Sequence, residues 1–286
     1  MMKKYLSLIK FSHTIFAMPF AIIGFFIAQE HNENLQIDWT IFILIILCMI
    51  FARSAAMGFN RYIDRDIDRA NPRTNTTREI PNGEIKPKHA LLFIIINCTL
   101  FIITTLLINT LCFILSPIAL IIILGYSYTK RFSALCHLIL GLSLSLSPIG
   151  AYIALNNTIH TTPLLFALVV FFWVSGFDII YSLQDEKFDK LHKLYSIPVM
   201  FGKKVSLKIS KLLHYSCILS LVFIGYYDEI FNYYYWIGAS IFSTLLLYQH
   251  TLISENNLKR INIAFFTTNG IASIILGIFI VLNILL

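Results

Sequence analysis

The chain has 286 residues, of which 57% are hydrophobic and 13% charged, with a formal charge of +7 and a mean hydropathy of +0.76. A soluble domain carries about 25% charged residues, so a water-facing surface cannot be assembled here and the apolar excess must face lipid. This excludes a soluble enzyme, a nucleic-acid-binding domain and a disordered chain, and leaves an all-α integral membrane protein.

A crossing helix needs about 20 mostly apolar residues. Nine stretches meet that length approximately: 11–29, 39–59, 90–108, 111–128, 134–154, 162–183, 212–227, 232–253 and 263–286. They follow one another closely enough to read as a single domain over 1–286. The first lacks a small-residue cleavage site and reads as a retained span. Cys48, Cys98, Cys112, Cys136 and Cys217 are scattered, with no C-x-x-C pair, and read as packing residues.

The basic residues fix an orientation. Three precede the first span, seven lie between spans two and three, two between four and five, seven between six and seven, and two between eight and nine. The opposite loops carry none, and Arg53 alone lies inside a span. Lys and Arg favour the cytoplasmic side, so the N-terminus is expected in the cytoplasm and the charge excess needs no nucleic-acid partner. The expected location is a bacterial inner membrane.

Each of the two longest basic segments opens on an acidic run. The first is Asn60-Arg61-Tyr62-Ile63-Asp64-Arg65-Asp66-Ile67-Asp68; the second runs from Asp178 through Tyr181 and Asp185 to Asp189. At about 100° per residue, Asn60, Asp64 and Asp68 share one helix face, and Asp178, Asp185 and Asp189 share another. Asp66 and Arg61 are expected off that face. Gly58-Phe59-Asn60 recurs as Gly176-Phe177-Asp178, and Ile80-Pro81 as Ile197-Pro198, the pattern of an internal duplication. Spans two and six run in the same direction, so two pseudo-repeats deliver one ladder each to the same boundary, around a central cavity.

A lone D-x-x-x-D at a helix end reads as a solvated face. Two ladders facing each other at the edge of hydrocarbon are costly unless divalent cations lie between them. Every donor in them is oxygen, which favours Mg²⁺, and Mg²⁺ is commonly shared with phosphate oxygens. A diphosphate held through Mg²⁺ is therefore the expected ligand. Arg73 and Arg78 follow the first ladder in a Pro- and Gly-containing turn, Tyr126 and Lys130 end span four, and Lys10 opens span one. Each base alone reads as a membrane-edge residue; as a converging set they are candidates to touch substrate. Arg53, inside a span, requires an anion. Either a ladder Asp supplies it, or an organic carboxylate bound deeper than the diphosphate does.

Together these residues resemble the UbiA-type intramembrane prenyltransferases. Asn60, Asp64 and Asp68 match the family's N-D-x-x-D-x-x-x-D, with Arg61 where the second acid stands. Asp178, Tyr181, Asp185 and Asp189 match D-x-x-Y-x-x-x-D-x-x-x-D in full. Tyr126 and Lys130 match Y-x-x-x-K, and Arg78, Pro81 and Gly83 match R-x-x-P-x-G. An Arg seven residues before the motif Asn marks members that prenylate hydroxyaryl carboxylic acids, and Arg53 fits.

The resemblance implies Mg²⁺-dependent transfer of a polyprenyl group from polyprenyl diphosphate to 4-hydroxybenzoate or, alternatively, to a dihydroxynaphthoate, in ubiquinone or menaquinone synthesis. It implies metal ligation by Asn60, Asp64, Asp68, Asp178, Asp185 and Asp189, with Asp64, Asp68, Asp178, Asp185 and Tyr181 as catalytic residues. Arg53, Lys10, Arg73, Arg78, Tyr126 and Lys130 would bind substrate. The rival readings are a haem-modifying farnesyltransferase, which would not need Arg53, and a secondary transporter, whose acids belong near the midplane.

Overall fold

The computed structural model describes residues 2–9, 14–32 and 36–286. Lys10 lies outside them. After a short α1 (Met2–Leu8), the long helices are α2 (Thr14–Glu30), α3 (Trp39–Ile63), α5 (Pro87–Ile108), α6 (Thr110–Thr129), α7 (Cys136–Asn156), α8 (Thr161–Ser182), α10 (Ile197–Tyr227), α11 (Tyr233–Gln249) and α12 (Thr268–Leu285). Two six-residue helices, α4 (Arg65–Ala70) and α9 (Glu186–Leu191), follow α3 and α8. A π-helical turn, Ile263–Thr267, leads into α12.

Among the described residues, seven helices are long and apolar enough to cross a membrane. The remaining two expected spans fall on α2 and α11, which have 17 residues each. Span seven begins earlier than the sequence suggests, because α10 starts at Ile197 behind the Ser196 cap rather than near 212. Its first turns carry Lys203, Lys204, Lys208 and Lys211, and this amphipathic start hides the helix from a search for apolar runs. Outward-facing Ile121, Leu107 and Leu219 are 72%, 65% and 68% exposed, an apolar exterior suited to lipid.

The core is built where the second group of helices meets α2. Phe20, Ile23 and Ile27 of α2 pack with Phe166, Trp173 and Phe177 of α8, Leu221 of α10, and Phe242 of α11. Trp173 is fully buried and donates its indole N–H to Asn269 Oδ1 at 2.7 Å. Asn269 Nδ2 in turn donates to the Ala264 and Phe265 carbonyls of the π-helical turn.

The ends of the bundle differ. At one end, loops without Lys or Arg are tied by amides: Asn109 Nδ2 donates to Ile153 O, Asn156 Nδ2 to Ala28 O, and Asn283 Nδ2 to Ile230 O. The other end carries α4, α9 and the basic loops. The pseudo-repeat is visible there in the backbone. In each repeat a long helix breaks at an Asp, continues as a six-residue helix, and is followed by an Ile-Pro pair and a Gly at positive φ, which precedes α5 in the first repeat and kinks the start of α10 in the second. Those glycines are Gly83 at φ 83° and Gly202 at φ 73°, conformations that side chains with a Cβ adopt at a cost.

Close packing of α2 on α7 depends on Gly24, where a Cβ would collide with the Pro148 carbonyl. Gly24→Val should therefore separate the two helices and cost about 1–3 kcal/mol. Thermal unfolding in detergent should show a lowered Tm, and an unchanged Tm would refute this packing constraint.

Candidate active site

The first ladder straddles a helix break. Asp64 is both the C-cap of α3 and the N-cap of α4, at φ −85° and ψ 4°. The i to i−4 hydrogen bonds nevertheless run through it, Asp64 N to Asn60 O at 2.9 Å and Asp68 N to Asp64 O at 2.7 Å, so the three side chains stay in file. The second ladder has the same form. Asp178 and Tyr181 end α8, Asp185 caps α9, and Asp189 N donates to Asp185 O at 2.8 Å.

Bases from two segments, the turn after α4 and the end of α6, converge on these acids. Lys130 Nζ lies 2.8 Å from Asp64 Oδ2, and Arg131 Nη1 lies 3.0 Å from Asp64 Oδ1. Arg78 Nη1 is 3.6 Å from Asp68 Oδ2. Arg73 crosses from the first repeat to the second, donating from Nε to Asp185 Oδ1 at 2.9 Å and from Nη1 to the Tyr181 hydroxyl at 3.2 Å. Asn71 Nδ2 adds a bond to the same Asp185 oxygen at 3.3 Å. The ladders thus face each other, with Lys130 between them. Burial pushes the Asp189 carboxyl up to about 6 and Lys130 is the strongest counter-pull. Burial raises Asp68 likewise, opposed by Arg61 and then Lys130.

Tyr181 is fixed from both sides. Its ring stacks on Phe265 with centroids 4.1 Å apart, while Phe266 meets it edge-on at 5.8 Å. The π-helical turn held by Asn269 presents both phenylalanines, so a buried amide in the first turn of α12 sets the aromatic wall of the second ladder.

Four participants escape a reading of the ladders alone. His137, at the start of α7, places Nδ1 2.7 Å from Asp178 Oδ2. Arg131 directly follows Lys130, and Asn71 sits between Asp68 and Arg73. Arg61 is a correction. Face arithmetic turns it away from the ladder, yet it is 7% exposed and Nη1 donates to Asn60 Oδ1 at 3.1 Å. Its long stem lets the guanidinium return to the face that its Cα leaves. Asp66, by contrast, is on the surface as expected, its side chain 72% exposed.

Inward of the ladders, an apolar cavity of about 180 Å³ lies among α2, α3, α5, α6 and α7. It follows α3 from Ala56 to Ile45. Arg53 and Tyr126 are the polar side chains at its ladder end. Arg53 forms no ion pair with a ladder Asp among the described residues, and its buried Nε has no hydrogen-bond partner. Among the described residues Phe101 and Tyr126 are its aromatic lining, and because α7, the helix that opens the second repeat, supplies one wall from Leu140 to Ala154, the cavity lies where the two repeats meet.

With two facing acid ladders, convergent bases and an apolar cavity behind an unpaired arginine in place, the relatives can be considered. A sequence model of the UbiA prenyltransferase family matches residues 17–271. The chain belongs to that family. A 4-hydroxybenzoate octaprenyltransferase of Aliivibrio fischeri is 29% identical over 240 residues, 83% of this chain and 82% of the relative. One from Francisella tularensis subsp. novicida is 29% identical over 238 residues, 83% of each chain. Among solved structures, the apo form of a UbiA homolog from Aeropyrum pernix superimposes with a TM-score of 0.84 at 28% identity, covering 95% of this chain and 98% of the other. A UbiA homolog from Archaeoglobus fulgidus bound to DMAPP and Mg²⁺ has the same fold, with a TM-score of 0.74 at 20% identity over 99% of each chain.

This UbiA-family prenyltransferase is thus an enzyme whose two repeats are joined at the site by Arg73. A guanidinium can serve Asp185 and Tyr181 at once; an ammonium on a similar stem cannot reproduce that fork. Arg73→Lys should lower prenyl transfer by about tenfold or more in isolated membranes at unchanged protein level, and full activity would show that the fork is dispensable.

Proposed function

We propose that the protein transfers a polyprenyl group from polyprenyl diphosphate to a hydroxyaryl carboxylic acid, 4-hydroxybenzoate foremost, in quinone synthesis. The observation that carries this reading is the order of the site: facing acid ladders with bases at the boundary, then unpaired Arg53, then an apolar cavity. That order matches a molecule with a diphosphate head and an isoprenoid tail, met beside the head by an aromatic acid. The names of the Aliivibrio and Francisella relatives support the acceptor, and the Archaeoglobus homolog bound to GPP and Mg²⁺ supports the donor class and the metal.

The donor set suits Mg²⁺. Buried Asp64 Oδ1 and Asp68 Oδ2 face Arg131 and Arg78 at 3.0 and 3.6 Å but accept no hydrogen bond, which leaves them lone pairs for a cation. Among the described residues, no three His, Cys, Asp or Glu side chains lie close enough to enclose an ion unaided. Mg²⁺ takes one or two carboxylates and completes its shell with phosphate oxygens and water. Asn60, Asp64 and Asp68 on one ladder, and Asp178, Asp185 and Asp189 on the other, would hold it. Bound there, it neutralises charge on the departing diphosphate.

The chain's own groups do the rest. Lys130, Arg73, Arg78 and Lys10 grip the diphosphate, stabilising the charge that develops as the allylic C–O bond breaks with its electron pair on oxygen. Arg53 holds the aromatic carboxylate so that a ring carbon beside the hydroxyl faces the allylic carbon, and Tyr126 closes the same end of the cavity. The new C–C bond forms there, and loss of the ring proton restores aromaticity. The apolar cavity takes the isoprenoid chain and keeps water from the cation. Tyr181 and the Phe265 face shield the opposite flank by cation–π attraction. The charge distribution supports nine spans in one domain, the N-terminus and ladders facing the cytoplasm, and a bacterial inner membrane.

Mass spectrometry on detergent-purified protein given Mg²⁺ and an allylic diphosphate, with 4-hydroxybenzoate or dihydroxynaphthoate in separate tubes, tests the reading directly. A prenylated benzoate is expected; product only from the naphthoate would move the acceptor to menaquinone chemistry, and none from either would overturn the proposal. Asp64→Asn and Asp185→Asn should each cut turnover at least about 100-fold without unfolding the protein. Arg53→Ala should raise KM for the aromatic acid by about tenfold or more while leaving diphosphate binding intact; an unchanged KM would remove Arg53 from that role. Because Asp189 is raised to about 6, protons displace metal as pH falls through that value. The Mg²⁺ concentration giving half-maximal activity should therefore rise below pH about 6 and level off above pH about 7, and a flat profile would exclude Asp189 as a ligand.

A further inference from the structure

The two ladders are alike in backbone and unlike in charge. Around the first, Lys130 and Arg131 approach Asp64, Arg78 approaches Asp68, and Arg61 and Arg53 pair with no carboxylate among the described residues: five cations face two acids. Around the second, Asp178 has His137, Asp185 has Arg73, and Asp189 has no ion pair among the described residues. One side of the site therefore has surplus positive charge and the other surplus acid. Arg61 makes the difference largest. It is 7% exposed, its Nε is buried without a hydrogen-bond partner, and its Nη1 bond goes to the neutral amide of Asn60. That bond uses one of the two lone pairs of Asn60 Oδ1 and leaves the other for a metal, while Asn60 Nδ2 donates to Asp64 Oδ2 at 3.2 Å. A buried guanidinium with a free Nε and no carboxylate in direct contact, Asp68 acting on it only from beyond ion-pair distance, is an incomplete site for an anion.

We propose that Arg61 is a direct ligand of the diphosphate, so that the first ladder holds phosphate oxygens through a guanidinium as well as through metal. This rests on the prenyl-diphosphate reading above. The guanidinium fork matches two phosphate oxygens and stays charged at any working pH. The second ladder lacks a counterpart, because the position after Asp178 is Ile179. The chemical consequence is that the site keeps affinity for a diphosphate when divalent metal is removed.

Isothermal titration of the detergent-solubilised protein with inorganic pyrophosphate, once in EDTA and once in Mg²⁺, tests this without relying on turnover. The wild type should bind pyrophosphate in EDTA, and more tightly in Mg²⁺. Arg61→Ala should lose at least tenfold in affinity in EDTA while retaining binding in Mg²⁺. Arg61→Gln, which keeps a donor for Asn60 but no charge, should behave in the same way, whereas Arg61→Lys should recover part of the binding. If Arg61→Ala and Arg61→Gln bind as the wild type does in EDTA, or if the wild type binds only with Mg²⁺, the role of Arg61 is overturned and the prenyl-diphosphate reading survives. A folded wild type that binds no pyrophosphate in either buffer overturns both.

Discussion

Carboxylates at the rim of a hydrocarbon layer repel each other in a medium that screens them weakly, and everything at the charged end of this bundle answers to that repulsion. The compensation is not local. Asp64 depends on bases that follow α6, Asp178 on a histidine opening α7, and Asp185 on an arginine from the turn after α4. Each helix end must therefore arrive in register with others far away in sequence, and the packing of the apolar spans serves to deliver them. At the opposite end amides close the loops, and Asp228 is met by His31 at 3.2 Å and by the Thr162 hydroxyl.

The catalytic surroundings extend the same logic inward. Arg53 stands where the charged layer meets the apolar cavity, with no carboxylate to neutralise it. A buried charge left in that condition is expensive, and a ligand that brings an anion relieves it. In the proposed function, specificity for an acid would arise from that unmet requirement. The wall of the second ladder is prepared differently, by rigid stacking: Trp173, Asn269 and the π-helical turn form a chain of contacts ending at Tyr181. That chain accounts for a helical irregularity which an apolar residue count cannot anticipate.

Much of this was legible before any coordinates. Apolar run lengths locate the long helices except the first turns of α10, whose lysines mask its continuation. The i, i+4 spacing finds both ladders because hydrogen bonding persists through the breaks at Asp64 and Asp185. What the sequence conceals depends on tertiary approach or on the reach of long side chains. His137 meets Asp178 across 41 positions, and no local pattern announces it. Arg61 is misread by face arithmetic, which tracks Cβ directions and ignores a stem able to fold the guanidinium back. Aromatic rings also gather beside the second ladder, where Phe177 and Tyr181 both meet Phe265, a clustering that composition alone does not locate.

The crossing of Arg73 to Asp185 also bears on symmetry. Suppose either repeat were paired with a copy of itself. Two first repeats would crowd together arginines and lysines with too few acids between them. Two second repeats would bring acid against acid with only a histidine each and without the arginine that now offsets Asp185. Neither homodimer could assemble a stable charged end. The two halves have divided the charges between them, and that division ties them into one obligate heterologous pair carried on a single chain.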